Sequence, residues 1–444
     1  MSTFQAPRGM RDLLPTEAAG IAALDLVVRS RAERYGYLPI ETPAVEDREV
    51  FLRTSGETSD TAGKEMYDVA LHGQGGLALR PEGTAPVARA YLQHGLHRAP
   101  QPVRLFYSER MYRGQRPQLL RYREFRQWGI ECFGAPEAAA DVEILDFTNG
   151  LFAETGLVDF ELQVNTIGDG PCRPKVREAL TAYFAEHRDA LSEESRRRLD
   201  TSVLRILDSK DPRDRSVIAG APNLHQLLCP EDRAHFDAVV AGLDRLGIRH
   251  RVLPTLVRGL DYYTRTVCEF VLTDPRFTKG GDIAVASGGR YDGLVRTMGG
   301  PDVAGVGIAG GTDVLYYALK QQGAVLGEEP AADVYILSAQ PDDAADRTQL
   351  ANPLRDAGFT VAIDYSARPL DRQLESAVKH GAKVAVIRGT EEARGGHVIV
   401  RDLLAKEQRV TRLAAVVTEV GRHVPRRPKP TLAPPGPAQP TGEA

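Results

Sequence analysis

Residues 123–133 read REFRQWGIECF, and large apolar side chains alternate there with polar ones at a period of two. That period belongs to a strand, because successive side chains of an extended chain point to opposite faces. Such a strand buries one face and turns Arg126 or Gln127, together with Glu131, onto a surface that can carry chemistry. Upstream, residues 77–80 (LALR) and 103–107 (VRLFY) are strand-like, with a helix at PVARAYLQHG (86–95) between them. Residues 16–36 read as a helix, with Thr16 as N-cap and Gly36 as its stop. Pro39 and Pro43 then hold residues 37–46 extended. Downstream, VCEFVL (267–272) is the next good strand.

Between these strands, residues 175–248 change character. Helix formers and runs such as SEESRRRLD (192–200), with no strand pattern, predict a mostly helical insertion. From 330 the pattern changes again: DVYILS (333–338), FTVAID (359–364), KVAVIR (383–388) and HVIV (397–400) alternate with helical stretches. Such alternation predicts βαβ units on a mostly parallel sheet. The expected organisation is a domain over 1–327 containing the insertion, an α/β domain over 331–424, and a disordered tail over 425–444 that holds seven prolines.

Composition narrows the function. The 444 residues are 42% hydrophobic and 26% charged, which excludes wholesale disorder. Lys+Arg (56) nearly balances Asp+Glu (60), for a net charge of −4, so the chain is no all-over basic coat for nucleic acid. The four cysteines are far apart with no C-x-x-C. That argues against a disulfide scaffold or a zinc knuckle and suits a reducing compartment. No run of about 18 apolar residues and no signal-peptide core is found, so a cytoplasmic protein without a membrane partner is expected.

The densest chemistry lies at 104–126, where seven arginines meet two glutamates and no lysine. Guanidinium forks bind phosphate and carboxylate bidentately, although a charge run also fits a solvated hairpin. Gly288, Gly289 and Gly293 in SGGRYDGL could form a phosphate nest or mark a sheet bend. GVGIAG (305–310) matches G-x-G-x-x-G, but no strand precedes it and no βαβ unit surrounds it, which disfavours a dinucleotide site. His94 and His97 lack a third ligand, and no metal site is expected. In RGLDYYTRT (258–266), Tyr262 and Tyr263 would point to opposite faces if extended.

Together these segments resemble the histidyl-tRNA synthetases, a class II aminoacyl-tRNA synthetase family. The resemblance covers nearly the whole chain and rests on PRGMRDLLP (7–15), FLRTSGETSDTAGKEMY (51–67), LRPEGTAPVARAY (79–91), RYREFRQWGIECFG (121–134), LRILDSK (204–210), LVRGLDYYTRT (256–266), SGGRYDGLV (287–295) and the 373–387 segment. It implies an α+β fold: an antiparallel sheet flanked by helices, a helical insertion, and a C-terminal α/β anticodon-binding domain. It implies ATP-dependent conversion of histidine to histidyl-adenylate, then transfer to the 3′ end of the histidine tRNA. Glu82, Thr84 and Gln127 would surround the α-amino group and Glu131 and Tyr263 the imidazole, with Gly83 and Tyr262 also in the substrate site. Arg113 and Arg258 would hold the ATP α-phosphate and the substrate carboxylate. With Gln127 they form the expected catalytic set, while Arg121 and Arg123 serve the outer phosphates and Phe125 stacks on adenine. Arg116 and Gln118 fall in the loop that would read the tRNA acceptor end. Mg²⁺ would accompany ATP, held mainly by phosphates and water. A homodimer through the helix 16–36 and the Pro43 strand is also implied.

The chain departs from the family pattern at named positions. In GIAGGTDVL (307–315), Asp313 and Val314 stand where the third class II motif carries glutamate and arginine. Gln115 replaces a glutamate, Leu119-Leu120 replaces Lys-Gly, and Arg126 a histidine. Losing a cation stacked on adenine costs about 0.5–2 kcal/mol. These changes keep a rival in view, a histidine-binding paralogue such as the regulatory subunit of the ATP phosphoribosyltransferase of histidine biosynthesis. The retained RGLDYY and the C-terminal domain speak against it.

Overall fold

The structure, a computed structural model, describes residues 4–427 except 56–62, 72–73, 118, 171, 261, 279–282, 328–330, 340–343 and 367. The chain divides into two compact units, Met1–Gly327 and Glu328–Ala444. Strands are numbered below in chain order, and so are the six helices that bear on the site. No helix among the described residues is long and apolar enough to cross a membrane.

An eight-stranded sheet organises the larger unit. In spatial order it runs β1 (Leu38–Pro39), β5 (Val103–Tyr112), β6 (Glu124–Phe133), β11 (Gly305–Gly311), β10 (Ala284–Arg290), β9 (Thr264–Leu272), β7 (Phe160–Thr166) and β8 (His250–Val252). The six inner strands are antiparallel, and only the edge pairs β1–β5 and β7–β8 are parallel. A side sheet of β2 (Val45–Asp47), β4 (Gln74–Leu79) and β3 (Tyr67–Leu71) flanks it.

Both faces of this sheet are covered, which changes how β6 looks. The alternation read from REFRQWGIECF is real: Trp128, Ile130 and Cys132 enter one core, and Phe125 and Phe133 pack in the other. From Trp128 onward, however, every residue of β6 is buried, because the strand is central and both its faces meet protein. The first core is roofed by α1 (Pro15–Arg34), α3 (Ala138–Thr155), α5 (Pro230–Arg245) and α6 (Thr312–Gln321). Helix α1 begins one residue before the expected cap. Pro15 occupies its first turn, Leu14 is the N-cap, and no side chain caps it, so Thr16 lies inside. On the other face sit α2 (Thr84–Gln93) and α4 (Cys172–Glu186).

Described residues of 175–248 are helical or irregular, with no strand. They do not pack as one body. Val176, Leu180 and Phe184 of α4 join Val203 and Ile206 in the core on the site's side, whereas Phe236, Val239 and Leu243 of α5 pack on the opposite face. The wide cysteine spacing, read as arguing against a disulfide scaffold and as suiting a reducing compartment, still permits one pair. Cys172, opening α4, and Cys229, just before α5, form a disulfide with Cα atoms 5.6 Å apart. Sequence distance hid the pair, because the helical excursion leaves and returns at one place. Cys132 and Cys268 stay buried thiols.

The smaller unit carries a five-stranded sheet in the order β13 (Val361–Ile363), β12 (Val334–Ser338), β14 (Val384–Arg388), β15 (His397–Asp402) and β16 (Gln408–Arg412). Its first three strands are parallel, as the βαβ pattern requires, but β15 and β16 are antiparallel, so the sheet is mixed rather than mostly parallel. QRVTR in β16 has no apolar alternation, because it is an exposed edge strand. The proline-rich tail falls, from 428 on, outside the described residues.

Candidate active site

The cavity over the middle of the large sheet has a volume of about 390 Å³. Glu82, Thr84, Arg113, Arg121, Phe125, Gln127, Arg258, Tyr262 and Tyr263 line it, so most of the residues named from the sequence converge on one space. They come from three places: the start of α2, strand β6 with the loop before it, and the loop 253–263 that leads into β9.

Alternation along β6 decides between Arg126 and Gln127. Gln127 faces the cavity, where its Oε1 is buried without a hydrogen-bond partner among the described residues. Arg126 points to the other face and pairs with Asp25 at 2.7 Å. A buried orphan acceptor costs free energy until a donor arrives, and a substrate ammonium is such a donor.

Glu131 belongs to the same strand, further along, and is fully buried. Thr84 donates its hydroxyl to one carboxylate oxygen at 2.7 Å, and Tyr291 donates to the other. Tyr107 approaches within 3.5 Å. Burial pushes the Glu131 carboxyl up to about 8, and the hydroxyl donors pull against that rise. A carboxyl titrating there, oriented by hydroxyls and backed by Tyr262 and Tyr263, suits a ring that carries N–H groups and itself titrates near neutrality.

The sheet makes room for this carboxylate with glycines. Gly307 is the direct partner of Glu131 across β6–β11, and a Cβ there would lie 1.9 Å from Glu131 Oε2. In the same strand, Gly305 clears Tyr291 and Gly310 clears Trp128. GVGIAG is therefore a central strand whose three glycines admit three large neighbours, and its literal G-x-G-x-x-G is no dinucleotide loop. The glycines of SGGR resolve likewise. A Cβ on Gly288 would stand 2.2 Å from the carbonyl of Gly307, so this is strand packing and no phosphate nest.

Glu82 opens α2, where its carboxylate accepts the amides of Thr84 (2.7 Å) and Ala85 (2.9 Å). Burial raises its pKa, and those amides and Arg113 oppose the rise. Gly83 contributes space, since a Cβ there would collide with the Tyr107 ring at 2.3 Å, and its carbonyl accepts the Val87 amide at 3.1 Å. Arg113 donates Nε–H to the Pro81 carbonyl at 2.8 Å and lies with its Cζ 5.1 Å over the Phe125 ring. Burial lowers its pKa. Arg258 is gripped by Glu269 and by Ser287 Oγ (2.8 Å), while its Nε is buried without a partner among the described residues. Burial works against its charge, but Glu269, together with Tyr263, Cys268 and Tyr262, holds the pKa above the ordinary guanidinium value. Tyr262 and Tyr263 do not point apart. They lie in a loop, both line the cavity, and their ring centroids are 4.7 Å apart.

Other arginines of the 104–126 cluster are engaged elsewhere, as a charged hairpin would have them. Arg104 pairs with Glu143 and Arg110 with Glu124. Arg123 bonds the carbonyl of Gln115 at 3.1 Å and does not line the cavity. Arg116 lies in the loop before β6, and Gln118 lies outside the described residues. Val314 lines the cavity, so the position where the family pattern has arginine offers an aliphatic wall. Asp313, beside it, accepts from Arg11 (2.6 Å) and from the Arg126 amide (2.6 Å) and so staples α6 to β6. Sequence reasoning missed Tyr107, Tyr291, Glu269 and Ser287. Tyr291 stood inside SGGRYDGL, where the glycines drew attention first.

Known proteins share this chain's sequence and fold. The family model described as "Histidyl-tRNA synthetase" matches residues 9–315, and that described as "Anticodon binding domain" matches 333–423. A histidine–tRNA ligase of Desulforudis audaxviator is 42% identical, covering 94% of this chain and 98% of its own length. One of Pelotomaculum thermopropionicum is 39% identical over 93% and 96%. The apo histidyl-tRNA synthetase of S. aureus superposes with a TM-score of 0.78 at 31% identity, covering 94% of this chain and 100% of that one. The buried carboxylate, the two arginines and the tyrosine pair thus stand on a shared scaffold, and the chain belongs to the histidyl-tRNA synthetase family.

Proposed function

We propose that the protein is a histidine–tRNA ligase. A carboxylate oxygen of histidine attacks the α-phosphorus of ATP, the bond to the β-phosphate oxygen breaks, and pyrophosphate leaves. A terminal ribose hydroxyl of the tRNA then attacks the carbonyl carbon of the adenylate, and AMP departs. The observation that carries this reading is the buried Glu131, aligned by Thr84 and Tyr291 beside a cavity that also holds Arg113, Arg258 and the unpaired Gln127 Oε1.

In this reading Glu131 accepts an imidazole N–H and Tyr263 meets the other ring nitrogen, so amino acids lacking those groups leave buried polar atoms unpaired. Gln127, with Glu82 and the Thr84 segment, receives the ammonium. Arg113 and Arg258 neutralise charge growing on the α-phosphate as the carboxylate approaches. Phe125 stacks on adenine, Val314 supplies a further apolar part of the same wall, and Arg121 serves the outer phosphates. The loop of Arg116 and Gln118 meets the acceptor end of the tRNA. Mg²⁺ fits as the nucleotide's companion: among the described residues only Glu65 and Glu82 bring carboxylates to the cavity, and Glu82 already accepts two amides, so phosphates and water would supply most of the ligands. A homodimer through α1, β1 and β2 is supported by Leu26, Leu38 and Val45, large apolar side chains left exposed on those elements.

Val314 favours a second reading, a paralogue that binds histidine without activating it. Histidine-dependent ATP–pyrophosphate exchange separates the two. Exchange by the wild type, followed by charging of histidine tRNA, is the expected result. Histidine binding without exchange would replace the ligase reading with the paralogue.

A further inference from the structure

Arg258 comes from an irregular loop, residues 253–263, whose described residues form no helix or strand to fix its direction. Yet a guanidinium that stabilises a transferring phosphorus must be held in place before the reaction starts. The structure shows what holds it. Glu269 on β9 and Ser287 on β10 are direct cross-strand partners, and both reach the same guanidinium, Glu269 at Nη1 and Ser287 at Nη2. The pair sits at the wall of the cavity: Ser287 and Arg258 both line it, and the side chain of Glu269 is only 23% accessible. Arg258 also lies with its Cζ 5.7 Å from the Tyr263 ring centroid, so one orientation of the fork serves the anion site and the imidazole site together.

The census of N–H groups gives this clamp a purpose. Both Nη atoms are engaged by the protein, whereas Nε is buried and has no partner among the described residues. A clamp that takes one N–H from each outer nitrogen and leaves the buried Nε–H without a partner fixes the direction of the fork and reserves a donor for a ligand oxygen. Glu269 also supplies the negative charge that makes a buried guanidinium tolerable in the empty site.

We propose that Glu269, assisted by Ser287, is a positioning residue for adenylate formation that acts only through Arg258. The proposal rests on the assignment of Arg258 to the α-phosphate and the substrate carboxylate. Glu269→Gln keeps the shape and removes the charge. It should lower kcat for histidine-dependent pyrophosphate exchange by about 10–100-fold, the usual consequence of a slightly misplaced group, while the KM for histidine moves by less than about threefold. Ser287→Ala should act in the same direction and more weakly. In an Arg258→Ala background, Glu269→Gln should add almost nothing, because the group it positions is gone.

Wild-type rates in Glu269→Gln, or a loss that multiplies undiminished with that of Arg258→Ala, would overturn the clamp. The two failures are distinguishable. If Arg258→Ala itself exchanges at the wild-type rate, the assignment of Arg258 falls and the clamp with it. If Arg258→Ala is slow and Glu269→Gln is independent of it, only the clamp falls. Should Glu269→Gln lack a cooperative melt, Ser287→Ala takes its place in the same double-mutant cycle, with the same two outcomes.

Discussion

A single carboxyl group concentrates the chemistry of recognition. With Glu131 raised to about 8 by burial and a free imidazole near about 6.5, the empty site and its ligand together carry one proton in the interval between. If the bound pair shares that proton, histidine affinity is greatest across this interval. Below it a second proton must leave, and above it one must be taken up, so affinity falls about tenfold per pH unit on either side. Calorimetry in buffers of different ionisation enthalpy should find close to zero net proton exchange near pH 7. Release of a full proton there would mean that the complex holds a bare carboxylate against neutral imidazole. Glu131→Ala should abolish measurable histidine binding with the fold intact, and unchanged calorimetric affinity would remove Glu131 from the pocket. Its neighbour Gly307 leads to the same place from the backbone. Gly307→Ala puts a methyl where Glu131 Oε2 stands, so the carboxylate must rotate away, and histidine affinity should drop by roughly 10–100-fold. A glycine chosen for backbone freedom alone would show no such loss.

Among the elements, β11 and the start of α6 bring Gly307, Gly311 and Val314 to the wall of the cavity. In the proposed reading Val314 offers adenine an apolar wall without charge, and Val314→Arg restores a cation to the cavity that Phe125 also lines. The KM for ATP in pyrophosphate exchange should fall by about 2–30-fold, the range that one cation–π contact supplies. No change would show that Val314 does not reach the base. The helical excursion between α4 and α5 is an element of another kind, closed at its root by Cys172–Cys229 over a separation of 57 residues. Loop-closure entropy for such a span corresponds to about 4 kcal/mol, so reduction should lower the melting temperature by several degrees, and Cys172→Ser should do so without any reductant. Identical melts in oxidised and reduced buffer would show that the bond contributes nothing.

At the scale of the whole molecule, charge and apolar surface are distributed unevenly. The net charge of −4 hides the arginines of the large unit, several of which are neutralised by Glu143, Glu124 and Asp25. Nucleic acid therefore meets selected cations and no continuous basic coat. The exposed Leu26, Leu38 and Val45 lie on elements close in sequence to Thr42, whose amide and hydroxyl bond Glu109 inside the protein. An interface built there would couple a second protomer to β5, the strand beside β6. Light scattering at micromolar concentration should give twice the chain mass of 48.5 kDa. A monomer's mass would exclude the dimer. Replacing Leu26 and Leu38 together with glutamate should produce that monomer.

Much of the parts list is written locally along the chain. Period-two alternation identifies β6, the Pro39 and Pro43 pair keeps the segment after α1 extended, and the motifs around Glu82, Arg113, Gln127 and Arg258 name groups that the cavity gathers. Spacing and residue type suffice for these, because each depends on near neighbours in sequence. Other features wait on neighbours distant in the chain. Arg126 is held out of the cavity by Asp25, about a hundred residues away, and Tyr262 and Tyr263 are turned to one side by a loop. The glycines of GVGIAG are clearances for Tyr291, Glu131 and Trp128, because a glycine's role is set by what its missing Cβ would strike. Cys172 meets Cys229, and Glu269 and Ser287 meet Arg258, through strand register and the return of the helical excursion. Periodicity reports which face a residue occupies. It cannot report what stands opposite, and at this site the opposite group sets each side chain's direction and charge.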